Sequence, residues 1–243
     1  MRSMALMAVM GFLILVTPSL AAEPSTAPAQ PASASTGGIA ATTTAVIVTP
    51  VDPSTPKGAL KSLAAALDAG NRADILALLD AKSDTDRRIA ASMADLATAN
   101  AGLRKVAVQS FGEKDARPLG VDPAATSAAM NRIDIAAVTL DGDKATLVSA
   151  EADGPPMTLV KHGDRWLLPV SELSKGVEPA DLDRNLRDAA EQTRLLIELT
   201  GEVTAGKYKT AVDARQMLDQ RILKSAMPQQ QPEQPAAGAT TRP

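Results

Sequence analysis

Apolar positions along the middle of the chain change their spacing twice. Between Pro56 and Phe111 they recur every three or four residues, which places them on one face of successive helices. Between Ile133 and Val170 they alternate with polar positions and are divided by short turns, as in the strands of hairpins. From Pro179 the helical spacing returns. This pattern predicts a single α+β domain over residues 55–225, in which the strands occupy the middle of the sequence and helices precede and follow them.

Two helices are expected at the start of the domain. Thr55 followed by Pro56 suits a helix N-terminus, because Thr can accept from a free amide and proline has no amide hydrogen to leave unpaired. Gly70 fits the left-handed stop of this helix, and Asn71 fits the cap of a second helix that runs to Ala81. The Ala-Gly-Asn turn between them predicts a helical hairpin.

Longer helices are expected on either side of the strands. One begins after Ser83 or Asp84, another runs from Pro179 to Gly206, and Thr210 caps a final, shorter helix. The expected buried stripes are Ile89, Met93, Leu96, Asn100, Leu103, Ala107 and Phe111 in the first, Leu182, Leu186, Ala189, Thr193, Leu196, Thr200 and Val203 in the second, and Val212, Met217, Leu218 and Ile222 in the last.

The alternating stretch predicts a four-stranded antiparallel meander packed against the N-terminal helices. Its first strand begins at Ile133 and ends at Asp141-Gly142, since Asp-Gly is among the strongest short-range hairpin signals. Further turns are expected at residues 153–156 and 162–164, and Pro169 marks where the last strand leaves the sheet. The long C-terminal helix pair is additional to this core.

The first residues of the chain have the composition of a leader. Residues 1–22 contain a basic Arg2, a short apolar run and a small-residue end, which is the layout of a secretory signal peptide cleaved after Ala21 or Ala22. An uncleaved anchor is the alternative, but the apolar run is shorter than the ~20 residues that a spanning helix needs. We therefore expect an exported protein, periplasmic, envelope-associated or secreted, with no integral membrane domain after cleavage.

Two further segments are expected to be disordered. Residues 23–54 are rich in Ala, Pro, Ser and Thr, and residues 226–243 are rich in Gln, Pro and Ala. Such compositions bury too little apolar surface to offset the entropy lost on ordering. We interpret the first as a linker between leader and domain and the second as a tail.

Charge and composition narrow the partners and the chemistry. The 25 Lys and Arg and 28 Asp and Glu residues are spread along the helices, without the clustered basic face that nucleic acid requires. Cysteine is absent and His162 is the single histidine. Phosphate-binding glycine loops, zinc-protease motifs and serine-hydrolase elbows are also absent from the sequence. We therefore predict no catalytic, cofactor-binding or metal-binding residues.

A few residues are candidates for a site despite this. Trp166, with Leu159 and Leu147, is a candidate to line a cavity between sheet and helices, although a lone tryptophan is more often a core anchor. His162 is expected to lie exposed in a turn, where converging partners are not evident. The acidic residues at the strand turns suggest either calcium binding or simple turn formation, and turn formation is favoured because their spacing does not match a calcium loop. These acidic residues are Asp141, Asp143, Asp153 and Asp164.

Three segments resemble a known family. The helical turn AALDAGNRADILALLDA and the strand pairs VTLDGDKATLV and MTLVKHGDRWLLPV are similar to those of small exported members, of unknown function, of the nuclear-transport-factor-2-like superfamily. The resemblance covers Pro56 to Glu172 and implies a curved antiparallel sheet wrapped around helices to form a cone. In enzymatic members the cone holds acid-base carboxylates or histidines, often with tyrosines. This chain has no tyrosine in the corresponding stretch.

Three functions are compatible with these features. The favoured one is an exported, non-catalytic domain that binds a small apolar ligand or an envelope protein, without a cofactor. One alternative is a small isomerase- or cyclase-like enzyme with acid-base groups in the cone. The other is a structural module that self-associates, as a homodimer for example, through its C-terminal helices.

Overall fold

The computed structural model of the chain describes residues 52–149 and 156–226. The predicted leader, nearly all of the predicted linker and the predicted tail beyond residue 226 lie outside these residues. The described helices are α1 (Pro56–Ala69), α2 (Arg72–Ala77), α3 (Asp84–Phe111), α4 (Pro123–Ile135), α5 (Val170–Leu173), α6 (Pro179–Thr204) and α7 (Ala211–Ala226), with a 3-10 turn at Arg117–Leu119. The strands are β1 (Leu79–Asp80), β2 (Ala137–Asp141), β3 (Lys144–Val148), β4 (Met157–His162) and β5 (Arg165–Pro169).

The protein is α+β, but its sheet differs from the predicted four-stranded antiparallel meander. It has five strands in the order β1-β5-β4-β3-β2. Strands β2 to β5 pair antiparallel with their sequence neighbours, and β1 pairs parallel with β5, with Leu79 opposite Leu168. The prediction is therefore wrong in strand number and in the expectation of purely antiparallel pairing.

The added strand β1 replaces the end of a predicted helix. Helix α2 stops at Ala77, short of the expected Ala81. The backbone N–H of Leu168 donates to the carbonyl of Leu78 at 3.0 Å, which draws the next two residues alongside β5. A two-residue strand has no periodicity of its own, so only the tertiary pairing distinguishes it from another helical turn.

The start of β2 was also predicted wrongly. Residues 133–135 form the last turn of α4, and the strand begins at Ala137. The side chain of Asp122 accepts from the N–H of Ala124, and the Ala-rich sequence that follows has high helix propensity. Ile133 and Ala136 are both buried, in one core cluster with residues of α1. The alternation at Ile133 thus reflects the end of a helix.

The predicted helix caps are confirmed. Thr55 accepts from the N–H of Gly58 at 3.0 Å, and Asn71 caps α2. Ser83 and Asp86 form a reciprocal capping box, in which each side chain accepts from the other residue's backbone N–H. Strand β5 ends at Pro169, also as predicted.

Gly70 does more than end α1. Its φ is 65°, in the left-handed region, and a Cβ built there would lie 2.5 Å from the Cβ of Ala101 on α3. The absence of a side chain therefore allows the end of α1 to approach α3 closely. The hydroxyl of Thr98 donates to the carbonyl of Gly70 at 3.0 Å, which closes the same contact.

Helix α3, 28 residues long, runs through two regions of the core. Its first half packs with α1, α2, the sheet and the start of α6; we call this part, with α4, the sheet region. Its second half packs with the 3-10 turn, the rest of α6 and α7; we call this part the helical region. The helical region is centred on Leu96, Ala99, Leu103, Ala107, Leu195, Leu196, Leu199, Val203, Ala214 and Leu218.

Polar members of the predicted stripes are satisfied within their own helices. The Nδ2 of Asn100 donates to the carbonyl of Leu96 at 3.0 Å, and the hydroxyl of Thr200 donates to the carbonyl of Leu196 at 2.7 Å. Such bonds to the carbonyl four residues back let these side chains lie at the core boundary. These two side chains therefore need no ligand to satisfy their hydrogen-bonding groups.

The stripe predicted for the last helix was partly wrong. Val212 is half exposed, and the buried positions of α7 are Ala211, Ala214 and Leu218. Small alanines allow close packing where larger apolar residues were expected. No helix among residues 52–149 and 156–226 is long and apolar enough to cross a membrane.

Candidate functional site

The three predicted cavity residues are packed into the core. Trp166, Leu159 and Leu147 have exposed fractions of 5%, 1% and 4%, and they belong to one cluster. The other buried members of that cluster are Ala59, Leu60, Ala64, Ile133, Ala136 and Ala145. Side chains thus fill the space between sheet and helices where a ligand was expected.

A shallow depression remains beside this cluster. It is lined by Leu60, Arg132, Ile133, Ala136, Leu147, Ser149 and Met157. Its volume of about 20 Å³ holds roughly one water molecule. Pockets for small organic ligands are usually roughly 300–1,000 Å³. Leu147 lies on its wall, whereas Trp166 and Leu159 do not.

A polar cluster lies at β1, where the sequence indicated nothing. The side chain of Asp80 is 9% exposed, and its Oδ2 lies 3.1 Å from Lys82 Nζ and 3.5 Å from His162 Nε2. Neither contact has hydrogen-bond geometry, and no other donor in the described part of the chain reaches this oxygen. His162 is half exposed at the end of β4, and the folded sheet supplies it with an acidic neighbour.

The cluster lacks the groups that would make it a catalytic or metal site. Acid-base chemistry needs a reacting group within reach of the imidazole, and a metal needs further ligands. Within the residues that the structure describes, no three His, Asp or Glu side chains are grouped closely enough to hold a metal ion. We interpret the contact of Asp80 with Lys82 and His162 as a link between β1 and β4 across β5.

The acidic turn residues do not converge. Asp141, Asp143 and Asp164 are exposed at the ends of strands, and Asp153 lies outside the described residues. The β2–β3 turn is formed by Gly142 and Asp143, one residue beyond the predicted Asp141-Gly142, because Asp141 still belongs to β2 and pairs with Lys144. Asp141, Asp143 and Asp164 therefore lie where hairpins commonly have turn-forming residues.

A second polar cluster joins α6 to α7. The carboxylate of Glu202 accepts from Arg221 Nη2 at 2.9 Å, from Lys207 Nζ at 2.6 Å and from the hydroxyl of Tyr208. These hydrogen bonds, that from Arg221 first, lower the pKa of Glu202 to about 2. Burial, and then the hydrogen bond to Glu202, raise the pKa of Tyr208 to about 12. The carboxylate is therefore held charged as a structural joint between two helices.

One edge of the sheet is β2, which is also the first strand of the predicted meander. Strand β2 is the last in the sheet order, and four of its five residues are exposed, with Leu140 at 62%. Two other exposed apolar side chains lie near the opposite end of this strand. Ile135, just before β2, and Val148, opposite Ala137 on the other face of the sheet, are 52% and 46% exposed.

The hydrogen-bonding groups along this edge follow from the hairpin register. Asp141 lies opposite Lys144 across a two-residue turn, and such a closing pair exchanges both of its backbone hydrogen bonds. The two residues of β2 at even positions, Val138 and Leu140, therefore direct their N–H and C=O groups away from β3. The N–H of Lys161 donates to the carbonyl of Asp143, which fits the same alternation. Within the described residues, no strand pairs with this side of β2.

Comparisons with known proteins do not assign the chain to a family. No protein-family model, no curated protein and no solved structure matches the chain. The resemblance to the nuclear-transport-factor-2-like superfamily therefore stays a prediction.

Proposed function

We propose that this domain is a non-catalytic, protein-binding module that acts outside the cytoplasm after export. One observation carries the proposal: among the described residues, side chains fill the space between sheet and helices, whereas no strand pairs with the outer side of β2. Strand edges bind proteins by adding a strand, because their unpaired backbone groups supply hydrogen bonds and their side chains supply specificity. The exported location rests on the leader-like composition of residues 1–22.

Binding of a small apolar ligand is the alternative to protein binding, and it is less favoured. The depression of about 20 Å³ would have to grow more than tenfold to reach ordinary ligand size. Growth on that scale would displace Leu147 and its buried neighbours Leu159 and Trp166. Removing such groups from a packed core costs several kcal/mol, which ligand binding would first have to offset.

An acid-base enzyme also finds little support. The depression is lined by one ionisable side chain, Arg132, and arginine is not among the usual general acids or bases. His162 and Asp80 do not line it. A general acid or base has to lie within hydrogen-bond reach of the reacting group, and the described lining offers none.

The C-terminal helices offer less surface for self-association than expected. The apolar stripe of α6, which includes Leu196, Leu199 and Val203, is buried in the helical region against α3 and α7. The exposed Ile197 and Leu223 are single apolar residues, which are normal on soluble proteins. The outer side of β2, with which no described strand pairs, is therefore the better candidate surface.

Site-specific crosslinking tests the proposal. A photoreactive amino acid placed at Leu140 in the full chain should give covalent protein adducts in cells. The same group at Leu223, which is similarly exposed at 68%, is the matched control and should give few or none. Native mass spectrometry of the purified protein should show no bound small molecule. Equal adducts at both positions, or a stoichiometric small-molecule mass, would count against the proposal.

A further inference from the structure

We infer that the partner of β2 is a second copy of this chain, joined by antiparallel pairing of the two β2 strands around Thr139. The inference rests on the proposed protein-binding function of this edge. Two five-stranded sheets would then form one continuous sheet of ten strands. Hydrogen bonding, side-chain contacts and charge each support this arrangement.

The backbone groups of β2 are self-complementary. Val138 and Leu140 carry the outward N–H and C=O groups, and they lie symmetrically on either side of Thr139. With Thr139 on the two-fold axis, Val138 of one copy faces Leu140 of the other, and the reverse holds on the opposite side. Both pairs are then of the hydrogen-bonded kind, so four backbone hydrogen bonds form.

The side chains fit the same register. Leu140 lies opposite Ala145, and Val138 lies opposite Leu147, so both point to the face of the sheet that holds the core. Ala145 is fully buried whereas Leu140 is 62% exposed, so the core face ends abruptly at this strand. In the pair, Leu140 contacts Val138 of the second copy, and the two cores become continuous. Thr139 meets its own counterpart on the other face, which is a favourable cross-strand pair.

Charge selects the antiparallel direction. Asp141 is the one charged residue of β2. In the antiparallel register it faces Ala137 of the second copy, and the two Asp141 residues stand about 14 Å apart, four residues along a strand. A parallel, in-register pair would place the two Asp141 carboxylates side by side, which is destabilising.

The edge also lacks the usual protection against pairing. Strands at sheet edges are commonly blunted by lysine, proline or a bulge. β2 contains neither lysine nor proline, and its register with β3 is unbroken from Ala137 to Asp141. A five-residue strand pair buries less than the roughly 1,200 Å² of a standard stable interface, so we expect dimerisation that depends on concentration.

Light scattering coupled to size exclusion tests the inference on the full chain. The mass should rise toward that of a dimer with concentration, and Leu140→Lys should raise the dimer dissociation constant at least tenfold. Leu223→Lys, at an equally exposed position on α7, should leave it unchanged. A second readout tests the register: because the chain has no cysteine, Thr139→Cys should oxidise to a covalent dimer, whereas Asp141→Cys should not.

Each other outcome overturns the inference in a recognisable way. A monomer at all concentrations that still gives Leu140-dependent adducts with another protein would refute the second copy but leave the proposed function standing. A dimer insensitive to Leu140→Lys, without the Thr139→Cys crosslink, would place the interface elsewhere. In a third outcome the protein is a monomer, and its β2 amides resist hydrogen exchange in the full chain but not in a variant without residues 23–51. This result would show that the chain's own apolar Val46-Ile47-Val48 fills the edge, and it would refute both proposals.

Discussion

The sheet region and the helical region share α3 but end differently. In the helical region the apolar stripe of α6 is covered by its neighbours, and Glu202 with Arg221 closes the junction of α6 and α7. In the sheet region the core face continues to β2 and stops at the exposed Leu140. The helical region covers its apolar stripe and leaves single apolar residues such as Ile197 and Leu223 exposed, whereas the sheet region leaves both backbone hydrogen-bonding groups and the exposed Leu140 along one strand. Binding is therefore expected in the sheet region.

The largest effect should follow from removing the centre of the sheet region. Trp166→Ala deletes a side chain that is 5% exposed, and truncation of a buried large aromatic costs about 3–5 kcal/mol of unfolding free energy. Because α3 passes through both regions, the helical region should unfold in the same transition. Thermal unfolding followed by circular dichroism measures both effects, and Leu223→Ala on the surface serves as control. A separate, unshifted transition of the helices would show that the two regions are independent.

The next effect tests the contact of α1 with α3. Gly70→Ala combines a left-handed φ of 65° with a Cβ placed 2.5 Å from that of Ala101, and we expect a loss of about 2–3 kcal/mol in unfolding free energy. Gly120→Ala is the matched control, because its φ of 83° and ψ of 17° lie in the same left-handed region but no heavy atom lies within 4 Å of the added Cβ. It should lose about 1 kcal/mol. Chemical denaturation measures both, and equal losses would remove the steric part of the argument.

A smaller effect is expected at the joint of the helical region. The pKa of Glu202 is about 2 in the folded protein, against an ordinary value of 4.5, so its carboxylate stabilises the fold fully above about pH 4.5. That contribution is lost as the pH falls from 4.5 toward 2. Glu202→Gln should remove about 1–2 kcal/mol at neutral pH and flatten this part of the stability profile. Denaturant unfolding at several pH values checks it, and an unchanged acid profile would contradict the assignment.

The smallest effect on stability, and the one that distinguishes the two regions most sharply, is expected at the edge itself. Leu140→Lys alters a side chain that is 62% exposed, so the unfolding free energy of the monomer should change by at most about 0.5 kcal/mol. Denaturant unfolding under dilute, monomeric conditions measures this change. A large destabilisation would mean that Leu140 contributes to folding. Weaker dimerisation of the Leu140→Lys variant could then not be assigned to the edge.

Much of the fold could be predicted because its signals are local. Thr55 and Ser83 each satisfy an amide a few residues away, and the N–H of Gly70 donates to the carbonyl of Leu67, three residues before it. The stripes of α3 and α6 follow from a spacing of three and four residues. The hairpin turn signalled by Asp141-Gly142 is equally local, although it forms one residue later. Caps, turns and periodicity are therefore readable without tertiary contacts.

The features that the sequence did not predict involve residues far apart in the chain. Asp80 and His162 meet because β1 lies parallel to β5, and the sequence contains no signal for a two-residue strand. Lys207 and Tyr208 could be recognised as a turn, but their convergence with Arg221 on Glu202 depends on how α7 folds back. The sequence also left open whether Trp166 anchors the core or lines a cavity, because alternation shows which side chains face inward and not how closely they pack.

By itself, the sequence determined the α+β class, the positions of the long helices and the hairpin turns, since each depends on interactions over a few residues. Tertiary structure alone decided that β1 joins the sheet, that Leu147, Leu159 and Trp166 pack closely into the core, and that Leu140 of β2 is left exposed. The physical reason is that strand order and packing density depend on contacts between distant segments. The candidate function follows from those contacts, and it lies at the strand whose outer side meets no other segment among the described residues.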